Sequence, residues 1–167
     1  MAILLIPKIA RVSEERMTCP TELLLGEVAA MLAEGRTVTL HAKGDSMYPF
    51  IVGGRDSVVL EPVRRVRVGD IVLARPAGKG YILHRVLRQE GDALRLMGDG
   101  NVCRGEDCLR GEVFGRVSAI VRCGRRVDCG SAAERWRVCV WRGLFPLRRV
   151  ILGVCRRWPG CGYGKRN

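Results

Sequence analysis

The sequence predicts a mainly β domain, preceded by one helix and followed by a basic amphipathic helical tail. Three observations predict it. Glycine is abundant, at 21 residues, and aromatics make up only 5% of the chain, which favours turns and strands over long helices. Between Val38 and Val121, short apolar runs alternate with turns rich in Gly, Pro and Asp, the pattern of an all-β domain and not of a βαβ sheet. Helical spacing of apolar residues occurs only near the two ends.

The elements follow in order. Thr21 to Glu34 reads as a helix, with Thr21 as its cap and Leu24, Leu25, Val28, Met31 and Leu32 at helical spacing. Gly35 ends it. Val38 and Leu40 alternate with Thr37, Thr39 and His41, a strand that leads into the bend Gly44-Asp45-Ser46. Ser57 to Leu60 is a short strand closed by Pro62. Val66 to Asp70 turns into Ile71–Ala74, and Pro76 with Gly78 makes the turn before Tyr81 to Arg88. Glu90-Gly91-Asp92 signals a hairpin that returns through Ala93 to Met97. Gly98-Asp99-Gly100-Asn101 is another tight turn, and Val113 to Val121 completes the set.

The tail differs in kind. Trp136, Val140, Trp141, Leu144, Leu147, Ile151, Val154, Cys155 and Trp158 mark an apolar helical face, interleaved with Arg135, Arg137, Arg142, Arg148, Arg149, Arg156 and Arg157. Pro146 should kink it. The net charge is +12, and from Glu134 to Asn167 there are nine Lys/Arg against one acid. Such a segment suits the membrane–water interface, or else packs on the domain with its arginines in water. The boundaries expected are 1–36 for an N-terminal extension and helix, 37–128 for the β domain and 129–167 for the tail.

Composition narrows the function classes. No run reaches the roughly 20 apolar residues of a spanning helix, and the start lacks the pattern of a secretory signal. A cytoplasmic protein is expected. Eight cysteines include no Cys-x-x-Cys pair. The closest spacing, Cys103 to Cys108, has no second pair and no nearby histidine, so no metal is expected.

Two segments carry the chemistry. Ser46 sits in a tight bend, and His84, one of only two histidines, lies in the apolar strand Tyr81-Ile82-Leu83-His84-Arg85-Val86. A serine hydroxyl becomes a nucleophile when a base takes its proton, and imidazole is suited to that task at neutral pH. Alternation puts His84 on one face with Ile82 and Val86, and Arg85 on the other. Asp99, at the end of the strand paired back onto the His84 strand, is placed to hold the imidazole tautomer or to bond within its own turn. His41 lies five residues before Ser46, in a strand that should point it elsewhere.

Taken together, Gly44-Asp45-Ser46-Met47-Tyr48-Pro49, Gly69-Asp70-Ile71-Val72, His84-Arg85-Val86 and Gly98-Asp99-Gly100-Asn101, in this order, resemble the conserved boxes of the LexA/type I signal peptidase clan. The resemblance spans Val38 to Val121, about half the chain. It implies a coiled, mostly antiparallel β fold and a serine endopeptidase without a cofactor. It places Ser46 at the nucleophile and His84 at the base, a position held by lysine in LexA-type proteins and by histidine in reticulum and archaeal signal peptidases. Asp99 falls on the acid of the Gly-Asp-x-Asn box.

Departures from the pattern are informative. Many members carry a serine two residues before the nucleophile; here Gly44 stands there, so the backbone N–H of Ser46 is expected to bind the oxyanion. Met47 and Pro49, beside the nucleophile, are expected to bind substrate. No transmembrane anchor, helix-turn-helix pair or Ala-Gly or Cys-Gly cleavage bond precedes Ser46. The expectation is a stand-alone catalytic domain acting on a peptide or protein substrate. Its tail would meet an anionic membrane surface, at the inner face of the cell membrane, in preference to nucleic acid. The alternative is a basic membrane-surface or nucleic-acid-binding module whose peptidase-like domain is inactive.

Overall fold

The computed structural model describes residues 21–102 and 105–157; the side chains of Thr21 and of residues 155–157 lie outside that description. Helix α1 (Thr21–Ala33) is followed by eight strands: β1 (Val38–His41), β2 (Asp56–Pro62), β3 (Ile71–Ala74), β4 (Ile82–Glu90), β5 (Ala93–Met97), β6 (Glu106–Leu109), β7 (Val113–Arg122) and β8 (Arg125–Asp128). Helices α2 (Ala132–Gly143) and α3 (Arg148–Arg157) close the described chain. Every strand pair is antiparallel, in the order β1-β2-β7-β3-β4-β5-β6, with β8 paired to β7.

The sheet coils, and its bulges show why. The register slips between Val59 and Leu60, between Leu73 and Ala74, and between Val86 and Arg88. An extra residue on one strand bends it and steepens the local twist. The coil wraps the central strands on both sides. In β3, Ile71 and Leu73 join a core with Val28 and Leu32 of α1, while Val72 and Ala74 join a second core with Val86, Leu94 and Leu96. That is why Ile71–Ala74 is apolar throughout and does not alternate. Val28 and Leu32 recur at helical spacing and are almost fully buried, worth roughly 1.5–3 kcal/mol each.

A third cluster joins the tail to the sheet domain. Val138 and Trp141 of α2 and Leu152 of α3 pack with Tyr48, Phe50 and Val52, residues of the loop that carries Ser46. Phe50 meets Trp141 edge-on at 6.0 Å and has the Arg85 guanidinium 4.9 Å from its centroid. Ser131 caps α2, its hydroxyl accepting from the Glu134 N–H at 3.3 Å. At Pro146, where a kink is expected, the helical run is broken: a short 3-10 turn, Phe145–Leu147, separates α2 from α3.

Three sequence expectations change. Strands β6 and β8 were not foreseen. The tail arginines are not all in water, because Arg148 is buried, its guanidinium 5.1 Å from the Trp141 ring centroid and 5.2 Å from that of Phe145. Burial pushes its pKa down, opposed by the charge of Asp99. Trp141 is buried while Trp136 is exposed, so the two tryptophans face different surroundings. Trp158, and the side chain of Cys155, lie outside the described residues. No described helix is long and apolar enough to cross a membrane.

Candidate active site

The bend at Ser46 follows from its neighbours. Gly44 adopts φ +76°, a left-handed conformation that side chains disfavour. The Tyr48–Pro49 bond is cis. Tyr48 N–H donates to Asp45 O at 3.1 Å and Ile51 N–H to Met47 O at 2.9 Å, so the segment coils once around itself.

Two clamps hold this loop. On one side the Gly98–Asn101 turn lies against it: Gly100 N–H donates to Ser46 O at 2.8 Å. A Cβ at Gly98 would stand 2.3 Å from that same oxygen, so glycine here serves close approach. On the other side Asp56, fully buried, accepts from Val52 N–H at 3.0 Å and pairs with Arg55 and Arg122. Arg122 also donates to Phe50 O at 2.8 Å. Burial alone would raise the Asp56 pKa, but bonds from Arg55, Arg122 and Val52 outweigh it and lower it to about 2.

Gly98→Ala tests the first clamp. Its methyl must push the Ser46 carbonyl away, at a cost of about 1–3 kcal/mol, with slower chemistry at Ser46. A Gly98→Ala protein of unchanged melting temperature would contradict the close approach.

Ser46 and His84 line one cavity of ≈ 440 Å³. Its walls are apolar, from Leu24 and Leu25 of α1, Leu40 of β1, Leu73 of β3 and Leu83 of β4. Ser46 is exposed and His84 buried. Met47 also lines this cavity, whereas Pro49 lines a separate groove with Phe50 and Trp136.

The carboxylate that meets His84 is Glu106. Its Oε2 lies 2.9 Å from His84 Nδ1, and its Oε1 lies 3.6 Å from Lys79 Nζ. The Glu106 side chain is only 14% exposed. Asp99 does not meet the imidazole. It accepts from Arg85 Nε at 2.9 and 3.0 Å and from Arg85 Nη2 at 2.6 Å, and both residues are buried. Arg85 Nη1 also donates to Gly69 O at 2.7 Å. The reason is strand alternation: His84 and Arg85 are consecutive in β4 and point to opposite faces, and Asp99 emerges on the Arg85 side, where Met97 pairs with Arg85.

Two further residues reach the cavity. Lys43 and His41 both line it. His41 Nδ1 lies 3.2 Å from Ser57 Oγ. Cysteine offers no rival nucleophile at two of the described positions. Burial pushes the Cys108 thiol up to about 12 and the Cys129 thiol up to about 11, which keeps both protonated at neutral pH. Among the described residues no group of three or more His, Cys, Asp or Glu side chains is arranged to hold a metal ion; Cys103 lies outside them.

A coiled antiparallel sheet that presents a serine bend and a histidine strand to one apolar cavity is the arrangement of a peptidase-like domain. Residues 6–118 match the model of the Peptidase S24-like family, and the chain belongs to that family. The match agrees with the resemblance to the LexA/signal peptidase clan. No characterised protein matches the chain significantly in sequence.

Proposed function

We propose that the chain is a serine endopeptidase in which Ser46 is the nucleophile, His84 the general base and Glu106 the residue that orients the base. The observation that carries this reading is the shared cavity: Ser46 and His84 both line it, and Glu106 engages His84 Nδ1 at 2.9 Å. A ring that donates Nδ1–H to a carboxylate carries its lone pair on Nε2. Ser46 Oγ then attacks the scissile carbonyl as His84 takes its proton. His84 returns that proton to the leaving amine, and water deprotonated by His84 releases the acyl group from Ser46. The Ser46 N–H serves the oxyanion.

The cavity also speaks to substrate. Its aliphatic walls favour an apolar side chain beside the cut. Strand β1 stands at one edge of the sheet and contributes Leu40 and His41 to the cavity, which supports a peptide bound in extended form along that edge.

The test is direct. A fluorophosphonate, which reacts with activated serines, should modify Ser46 of the purified chain, as read by peptide mass spectrometry. The adduct should vanish in Ser46→Ala, fall sharply in His84→Ala and persist in His41→Ala. A label that ignores His84 but requires His41 would reassign the base. No label at Ser46 in a folded chain, with no cleavage of a peptide library, would remove the peptidase reading.

A further inference from the structure

The helices of the tail are apolar on both sides. Val138 and Trp141 of α2 face inward. A helix turns about 100° per residue, so Trp136 and Val140 emerge on the opposite side, and both are exposed. Arg135 stands on one shoulder of that face and Arg137 on the other, while Arg142 reaches back to the sheet and donates from Nη2 to Leu87 O at 3.3 Å. Helix α3 repeats the arrangement. Arg148 and Leu152 are buried, while Val150, Val154 and, one turn earlier, Leu147 are exposed. Exposure runs from 40% at Val140 to 69% at Trp136. A surface helix of a water-facing domain is ordinarily polar on its outer side, and clustered exposed apolar residues mark a surface that something covers.

The charge of the two helices selects what covers it. Between residues 130 and 157 the only acid is Glu134, which is buried and paired with Arg137 at 2.9 Å. The exposed charges that the two helices themselves carry are therefore all cationic. A second copy of this chain would set arginine against arginine. A nucleic acid would satisfy the arginines and leave Trp136, Val150 and Val154 in water. An anionic bilayer satisfies both kinds of residue: the apolar face enters the acyl boundary while arginine stems reach back to the phosphates.

We propose that the outer faces of α2 and α3 bind anionic phospholipid membranes. The docked chain then carries its Ser46 loop on the layer just behind α2, since Phe50 packs on the inner face of that helix. The surface needs no catalytic residue, so it stands or falls apart from the peptidase reading.

The experiment uses the intact chain and two kinds of vesicle, phosphatidylglycerol mixed with phosphatidylcholine and phosphatidylcholine alone. Co-flotation is expected with the first and not the second, and it should weaken with added salt. Trp136→Ala/Val140→Ser and Val150→Ser/Val154→Ser should each weaken binding about tenfold or more, with little change in melting temperature because these side chains are already in water. Three results would overturn the proposal. One is no flotation with anionic vesicles. Another is flotation that both double variants retain in full. The third is a wild-type dimer in light scattering that the variants make monomeric, which would assign the face to a second copy.

Discussion

Glu106→Gln is expected to slow fluorophosphonate modification of Ser46, and any peptide cleavage, by about 10³–10⁴-fold. The side-chain shape is almost unchanged, but the chemistry of the contact reverses. A carboxylate only accepts, so it fixes the imidazole proton on Nδ1. An amide can donate to Nδ1, which draws the ring proton to Nε2 and removes the lone pair that must accept from serine. Because glutamine keeps the shape and still offers a hydrogen bond to His84, stability should fall by only about 1 kcal/mol. Lys79→Ala, which leaves His84 and Glu106 together, should change the rate little. A Glu106→Gln protein with the wild-type rate would show that this carboxylate does not orient the base.

Asp99→Ala is expected to act on the fold instead, costing about 3–5 kcal/mol. It leaves Arg85, 3% exposed, still bonded to Gly69 O and stacked near the Phe50 ring but without its carboxylate. An unpaired buried charge is far more costly than the pair is favourable. Hence Arg85→Met combined with Asp99→Leu should recover much of the stability that Asp99→Ala loses. Chemical denaturation of the three proteins measures this. An Asp99→Ala protein as stable as wild type but without Ser46 reactivity would reverse the assignment and give Asp99 the chemical role.

The contrast between these two acids shows how far the sequence could be read. Ser46 and His84 were visible because each sits in a local pattern, a glycine bend and an apolar strand. Asp99 was visible for the same reason, in its Gly-rich turn, yet its partner turned on which face of β4 it approaches. Glu106 lies 22 residues from His84, and the contact spans from β4 past β5 to β6. Nothing in Glu106-Asp107-Cys108-Leu109 reads as a strand, since adjacent acids mask the period, so the residue had no place in a sheet and no route to the histidine. Strand β3, by contrast, was legible to the residue, because four consecutive aliphatics bounded by Asp70 and Pro76 leave little choice.

The packing of Trp141, Val138 and Leu152 on Tyr48, Phe50 and Val52 carries a consequence for cooperativity. The Ser46 loop is covered from two sides: Met47 and Ile51 enter the core of the sheet domain, and the tail covers Tyr48, Phe50 and Val52. Undocking α2 would strip the inner side of the loop and expose the aromatic residues just beyond the nucleophile, so loop and tail belong to one unit that opens together. A shorter chain ending before Ser131 would retain every residue of the candidate triad and lose the lining that holds one of them still. Part of the order at the serine is thus borrowed from residues nearly a hundred positions further along the chain.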